Sequence, residues 1–151
     1  MNFRHRLHVN EGEAPDAALT FEQLWRGLRL KAEQPLLFID GLDDCSILAR
    51  DDTSIDRELR FGRARIRDRV TFPARGRIRQ EIAPSAHAAA ATLDIVVDEC
   101  AERGLYADFD YSTATPSPAD DEARMVESFV RQAYVDADRH AVDVIRRLVR
   151  Q

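Results

Sequence analysis

Arg63-Ala64-Arg65-Ile66-Arg67-Asp68-Arg69-Val70-Thr71-Phe72 alternates strictly between polar and mostly apolar residues. In a β-strand successive side chains point to opposite sides of the sheet. Arg63, Arg65, Arg67, Arg69 and Thr71 therefore share one face, and Ala64, Ile66, Asp68, Val70 and Phe72 share the other. A row of guanidinium groups cannot be buried together, so the arginine face is in water and the apolar face is inward. Asp68 stands out, because it is a carboxylate between Ile66 and Val70 on the face directed at the core.

The alternation continues on both sides of this stretch. It predicts strands near 44–50, 55–62, 63–72, 76–83, 90–98 and 104–112. They are separated by Asp51-Asp52-Thr53-Ser54, Pro73-Ala74-Arg75-Gly76, Pro84-Ser85 and Arg103-Gly104, all of turn-forming composition. The same parity sends Ile78, Gln80 and Ile82 inward, then Leu93, Ile95 and Val97, then Leu105, Ala107, Phe109 and Tyr111. Near the N-terminus Phe3, His5, Leu7 and Val9 alternate with Arg4, Arg6 and His8, predicting a first strand over 2–9. Short connections between successive strands imply an antiparallel meander.

Two segments follow the helical period instead. Thr20-Phe21-Glu22-Gln23 fits a capping box, and Phe21, Leu24, Trp25, Leu28 and Ala32 recur behind it at three- and four-residue steps until Gln34-Pro35. Pro35 to Leu42 reads as one further short helical turn. At the far end Ser117 and Pro118 suggest a helix start, followed by Asp120, Asp121 and Glu122. Val126, Phe129, Val130, Ala133, Ala137, Ala141, Val144 and Leu148 then trace one face, a helix on the order of 50 Å long at 1.5 Å per residue.

The expected architecture is a single α+β domain over residues 1–151. A curved seven-stranded antiparallel sheet wraps around a long C-terminal helix, with one or two short helices after the first strand. A twisted sheet of this size curls, and a straight helix cannot meet it everywhere at packing distance. The small residues Ala133, Ala137 and Ala141 favour a cavity between the two, and such clefts are where small apolar ligands bind.

Composition narrows the function. The chain has 151 residues, 44% hydrophobic and 32% charged, with 22 basic against 27 acidic side chains and a net charge of −5. That balance disfavours nucleic acid or an anionic membrane surface as the main partner. Nine arginines between 57 and 79 face only Glu58 and Asp68, while 92–110 is strongly acidic; cross-strand pairs on the outer face would account for both runs. Lys31 is the one lysine among the 22 bases, which reads as codon bias rather than as a functional device. Cys45 and Cys100 lack the spacing of a zinc or redox motif and read as small, partly buried apolar residues. No trio of His, Cys, Asp and Glu has ligand spacing, so neither metal nor other cofactor is expected. No apolar run approaches the roughly 20 residues of a membrane span. The N-terminus has no secretion-signal pattern, and the expected compartment is the cytoplasm.

Several inward polar residues are candidates for chemistry. Asp68 either orients the polar end of a ligand, serves as acid or base, or is satisfied by a structural partner. His5, flanked by Phe3 and Leu7, is either a satisfied core histidine or a proton carrier. Pairing of the first strand with the last would bring His5 close to Tyr111, a phenol suited to recognition or to packing. Gln80 could meet Asp68 across a hairpin. Trp25 anchors the first helix and forms a candidate cavity wall. Phe109 from the last strand, and Phe129, Val130, Ala133 and Tyr134 in mid-helix, would line the pocket or fill the core. His87 and His140 are expected to be solvated.

Three stretches carry a family resemblance. They are Phe3-Arg4-His5 through Val9-Asn10, Leu19-Thr20-Phe21-Glu22-Gln23-Leu24-Trp25-Arg26-Gly27-Leu28 with Ala32-Glu33-Gln34-Pro35, and Arg57-Glu58-Leu59-Arg60-Phe61-Gly62 continuing to Arg69-Val70-Thr71-Phe72. With the element order they resemble the helix-grip fold of the SRPBCC superfamily (START domains, Bet v 1-like proteins, aromatic polyketide cyclases) and, within it, the AtaL-like group. The resemblance spans essentially the full length. It implies binding of a hydrophobic small molecule and supplies no agreed catalytic residues.

Three functions are therefore in play. The first is binding of a lipid-, aromatic- or polyketide-like molecule between sheet and helix. The second is a cyclase, dehydratase or hydrolase using Asp68 and His5 as acid and base in the same cavity. The third is a protein-contact subunit working through its charged outer face, a homodimer included.

Overall fold

A computed structural model of the chain describes residues 1–114 and 118–151. Seven strands form one antiparallel sheet: β1 (Asn2–His8), β2 (Asp44–Arg50), β3 (Ser54–Phe61), β4 (Ala64–Ala74), β5 (Arg77–Ile82), β6 (Ala91–Cys100) and β7 (Gly104–Thr113). Their spatial order is β1-β7-β6-β5-β4-β3-β2. The meander runs from β2 to β7, as the alternation and short connections predicted, and β1 closes onto the last strand, as the resembled fold implied. The fold is the helix-grip: α1 (Phe21–Glu33) and α2 (Asp121–Val149) lie on the concave side.

Register confirms the inward parity. Phe61 and Ala64 flank a two-residue turn in which Gly62 adopts a positive φ of 60°, so Arg57 falls opposite Asp68 and Leu59 opposite Ile66. Further along the sheet Val70 pairs with Gln80, Gln80 with Leu93, Leu93 with Tyr111 and Tyr111 with Phe3.

Arg65, Arg67 and Arg69 on the outer face of β4 are paired within their own hairpin rather than with the acidic run across the sheet. Arg65 and Arg67 bind Glu58, and Arg69 binds Asp56, all within the β3–β4 hairpin. The acids of β7 are met by β1 instead, Asp110 by Arg4 and Asp108 by Arg6. Arg79 on β5 reaches Asp94 on β6, joining the two systems only loosely at 3.8 Å. The charges cancel between nearest neighbours because β5 keeps β4 away from β6 and β7.

α1 begins with the expected capping box: the Gln23 amide donates to the Thr20 hydroxyl and the Thr20 amide to the Gln23 side chain. A short 3-10 turn, Pro35–Leu37, follows. α2 starts later than predicted. Its N-cap is Asp120, accepting from the Ala123 amide at 2.8 Å, and Ser117 lies outside the described residues. The 29 residues of α2 give it a length of about 44 Å.

The core occupies one half of the concave side. Leu7, Val97, Leu105, Ala107, Phe72 and Ile78 from the sheet meet Leu24, Trp25 and Leu28 of α1 and Ala141, Val142, Val144 and Ile145 of α2. A Cβ on Gly27 would lie 2.5 Å from the Ile145 side chain, so the two helices cross there at the closest distance backbone and side chain allow. Arg146 secures this end, donating to the carbonyls of Val9 at 2.5 Å and Ala17 at 3.3 Å.

The other half is uncovered. Met125, Val126 and Phe129 are 62%, 56% and 69% exposed, and Ala133 is exposed as well. The continuous apolar face expected of the C-terminal helix thus packs only from Tyr134 onward, where Tyr134 lies on Tyr111 and Asp138 to Ile145 enter the core. Phe129 and Ala133 do not floor a closed pocket: both are exposed on α2, which meets this end of the sheet through Arg131 over Phe3 and Tyr134 on Tyr111.

Candidate functional site

Between the packed and open halves a band of polar side chains crosses the concave face. It starts on β4. Asp68 is 5% exposed and receives three hydrogen bonds, from Arg57 Nε at 2.9 Å, Arg57 Nη2 at 2.6 Å and Gln80 Nε2 at 2.7 Å. The guanidinium–carboxylate fork is the geometry that makes a buried charge tolerable. Arg57 Nη1 also donates to the Ala32 carbonyl at 2.9 Å, fastening β3 to the last turn of α1. Three of the five guanidinium N–H groups are thereby used and two remain. The structure places Asp68 inward and beside Gln80, as parity suggested, with its charge matched by an inward arginine.

A second cluster forms where β1 and β7 meet α2. Asp138 is 2% exposed. His5 Nε2 donates to its Oδ2 at 2.6 Å, and the Tyr111 hydroxyl donates across both carboxylate oxygens at 2.9 and 2.8 Å. The His5 ring stacks on Phe109 (4.9 Å between centroids) and on Phe3 (5.5 Å), while Tyr111 stacks on Tyr134 of α2 at 4.2 Å. His5 Nδ1 is buried without a hydrogen-bond partner. Burial and the Asp138 carboxylate push the Tyr111 phenol well above its ordinary value, so it stays protonated as a donor.

His5 and Asp68 are not brought together. β1 and β4 are four steps apart in the sheet, roughly 19 Å along it at about 4.8 Å per strand. Each residue also has its own partner of opposite type.

The third member of the band is Lys31. It follows Gly27 and Leu28 by four and three residues, on the face of α1 that meets the core. Its amine lies within electrostatic reach of Asp138 and Arg57, and desolvation pushes its pKa below the ordinary lysine value. It makes no hydrogen bond and no ion pair among the described residues.

Around this band the inward residues of the open half remain only partly buried: Phe3, Ile66, Gln80, Ile82, Leu93, Tyr111 and Cys45. Burial pushes the Cys45 thiol up, as suits an unreactive apolar neighbour. Trp25 lies away from this region, buried edge-on against Phe72 at 6.1 Å in the packed half. His87 is exposed at the surface and His140 half-buried.

Arg57, Lys31 and Asp138 were missed in the sequence reading, and each had a signal. Arg57 sits between Ile55 and Leu59 in the inward parity. Asp138 follows Tyr134 by four residues and precedes Ala141 by three, inside an apolar stripe. Lys31 continues the Leu24, Gly27, Leu28 face.

The sequence matches the family described as AtaL, acetylaranotin biosynthesis cluster protein L, over residues 4–151. No curated protein matches it. Among solved structures it is similar to the Zhui aromatase/cyclase from Streptomyces sp. R1128, with a TM-score of 0.61 and 17% identity over 98% of this chain and 94% of that one. It is also similar to TTHA0849 from Thermus thermophilus, with a TM-score of 0.59 and 10% identity over 97% and 93% of the two chains. At such identities the likeness establishes the helix-grip fold and nothing about chemistry.

Proposed function

The chain belongs to the AtaL family, and on that premise we propose that it binds a hydrophobic, oxygen-bearing small molecule, aromatic or polyketide-like, in the open half of its concave face. The observation that carries the reading is the uncovered apolar wall bounded by a polar band. Proteins bury such walls against their own helices unless something else occupies the space. Here Phe3, Ile66, Ile82 and Leu93 stay partly accessible, and the apolar Val126 and Phe129 of α2 remain exposed. Each 100 Å² of ligand apolar surface buried there would contribute roughly 2.5 kcal/mol before the costs of association. The two remaining N–H groups of Arg57 and the Gln80 side chain supply polar contacts for ligand oxygens, and the exposed Phe129 and Val126 form an apolar rim. The Zhui neighbour is an aromatase/cyclase, a description in keeping with a ligand of this class.

Native mass spectrometry of the purified protein for a co-purified small molecule, followed by fluorescence titration with 2-naphthol, tests this. Ile66→Trp, which fills the open half, is expected to weaken naphthol binding by at least about tenfold while leaving the fold intact. Absence of saturable binding, or binding unaffected by that substitution, would overturn the reading.

A second reading, an enzyme of the cyclase, dehydratase or hydrolase type, draws on the His5–Asp138–Tyr111 cluster. An imidazole oriented by a buried carboxylate is suited to carry protons. Asp68, saturated by three donors, is poorly disposed to the acid–base role. On this reading His5→Gln lowers turnover by roughly 100-fold or more while ligand affinity stays within a few-fold.

A further inference from the structure

We propose that the cleft between the free edge of β1 and the second half of α2 is a second ligand site, which takes a small organic monocarboxylate. It lies at the packed end of the molecule and is independent of the binding reading above.

β1 is an outermost strand of the sheet. Arg139, Val142, Asp143 and Arg146 recur along α2 at three- and four-residue steps, so they share one helix face. That face, the end of β1 with the turn after it, and Arg103 of the β6–β7 turn enclose a space of about 410 Å³, within the range of small-molecule pockets. Leu7, Val9 and Val142, all buried, give it apolar walls.

Its charged lining is unevenly committed. Arg103 binds Glu11, Arg146 binds Asp143 at 3.1 Å and Glu13 at 3.5 Å, and Arg6 is held by Asp108 from outside the cleft. Arg139 has no hydrogen bond and no ion pair among the described residues, which leaves its planar fork of donors unused. His8 is the second uncommitted group. Its Nδ1 is buried without a hydrogen-bond partner, while Nε2, also unbonded, keeps access to water. A proton on Nδ1 would be a buried donor with no acceptor, so the neutral ring carries it on Nε2 and offers a donor there.

The strand adds donors of its own. The Val9 amide donates to the Leu105 carbonyl at 3.1 Å, and bonded and unbonded residues alternate along an antiparallel pair. The amides of Arg6 and His8 therefore point away from β7, toward the free edge. Unused donors beside an apolar wall fit an anion with an apolar body. The acids fix its charge. Glu11, Glu13 and Asp143 are spent on Arg103 and Arg146, leaving one guanidinium to be matched. A carboxylate matches it in a two-point fork, whereas a phosphate dianion would bring a second charge toward three carboxylates.

Amide NMR of the full-length protein titrated with 2-naphthoate tests this. The resonances of His8, Val9, Val142 and Asp143 are expected to move on one saturation curve, and equally so in Ile66→Trp, whose open half is filled. Arg139→Gln, a change at an exposed residue without partners, should weaken binding by at least about tenfold. Arg139→Lys, which keeps the charge and loses the fork, should recover only part of that. 2-Naphthyl phosphate is expected to bind more weakly than 2-naphthoate, and 2-naphthol to leave these resonances in place. No saturable shift at these residues, shifts lost in Ile66→Trp, unchanged affinity in Arg139→Gln, or the same shifts with 2-naphthol would overturn the proposal. Tighter binding of the phosphate would overturn its assignment to a carboxylate.

Discussion

The two ends of the concave face are built from the same strands and the same helix, yet one is a core and the other is not. At the Gly27–Ile145 crossing, glycine lets α1 approach α2, and Leu24, Ile145 and Ala107 lose essentially all access to water. About four to five turns toward the N-terminus of α2, Val126 and Phe129 project into solvent near a sheet that still presents Leu93, Ile82 and Ile66. Between them lie Arg57, Asp68, Gln80, Lys31, His5, Tyr111 and Asp138. The difference teaches that hydrophobic patterning alone does not decide what is buried. The curvature of the sheet against a straight helix sets where packing stops, and polar residues accumulate at that boundary.

The comparison is broken most severely at the boundary itself. Arg57→Met with Asp68 left in place strands a buried carboxylate and is expected to cost about 3–5 kcal/mol in urea unfolding, whereas Arg57→Met with Asp68→Leu should recover most of that loss. Recovery failing in the double variant would mean that the pair acts through Ala32 and not through charge balance. At the packed end Leu24→Ala is expected to cost about 2–5 kcal/mol, by cavity formation where nothing can relax.

Lys31 sharpens the contrast through pH. Its folded-state pKa lies below the unfolded value, so the unfolded chain binds more protons over the interval between the two. Stability therefore rises with pH across that interval up to the ordinary lysine range, and the contribution is lost as pH falls through the folded value. Urea midpoints measured over alkaline pH should show this slope in the wild type and a flatter one in Lys31→Met. Equal slopes would place the amine in water. The smallest effect belongs to the open end: Phe129→Ser is expected to change stability by less than about 0.5 kcal/mol, checked by the same unfolding curves. A loss as large as that of Leu24→Ala would show that α2 packs along its whole length.

Much of this was legible in the amino acids. Alternation placed the seven strands within a residue or two, and parity turned Asp68, Gln80, His5 and Tyr111 inward, because a pleated strand enforces a period of two. The inward charge partners were not legible in the same way. Arg57 looked like one more solvated arginine beside Arg60 and Arg63, although the turn at Gly62 puts it opposite Asp68. Asp138 interrupts an apolar stripe, and its partner His5 lies 133 residues away, a pairing that no local period encodes. Lys31 was absorbed into composition, where a single exception in 22 carries little weight. The same stripe over-extended the core: Phe129 and Ala133 share the spacing of Ala141 and Val144, but spacing does not say where the sheet curves away.

The most direct test of a ligand space at one end only is an amide NMR titration of the protein with 2-naphthol. Resonances of Lys31, Gln80, Leu93, Tyr111 and Tyr134 should move together with one saturation curve, while those of Leu24, Gly27, Leu105 and Val144 stay in place. Shifts concentrated at the packed end or on the arginine-rich outer face, or no saturable shift at all, would contradict the account.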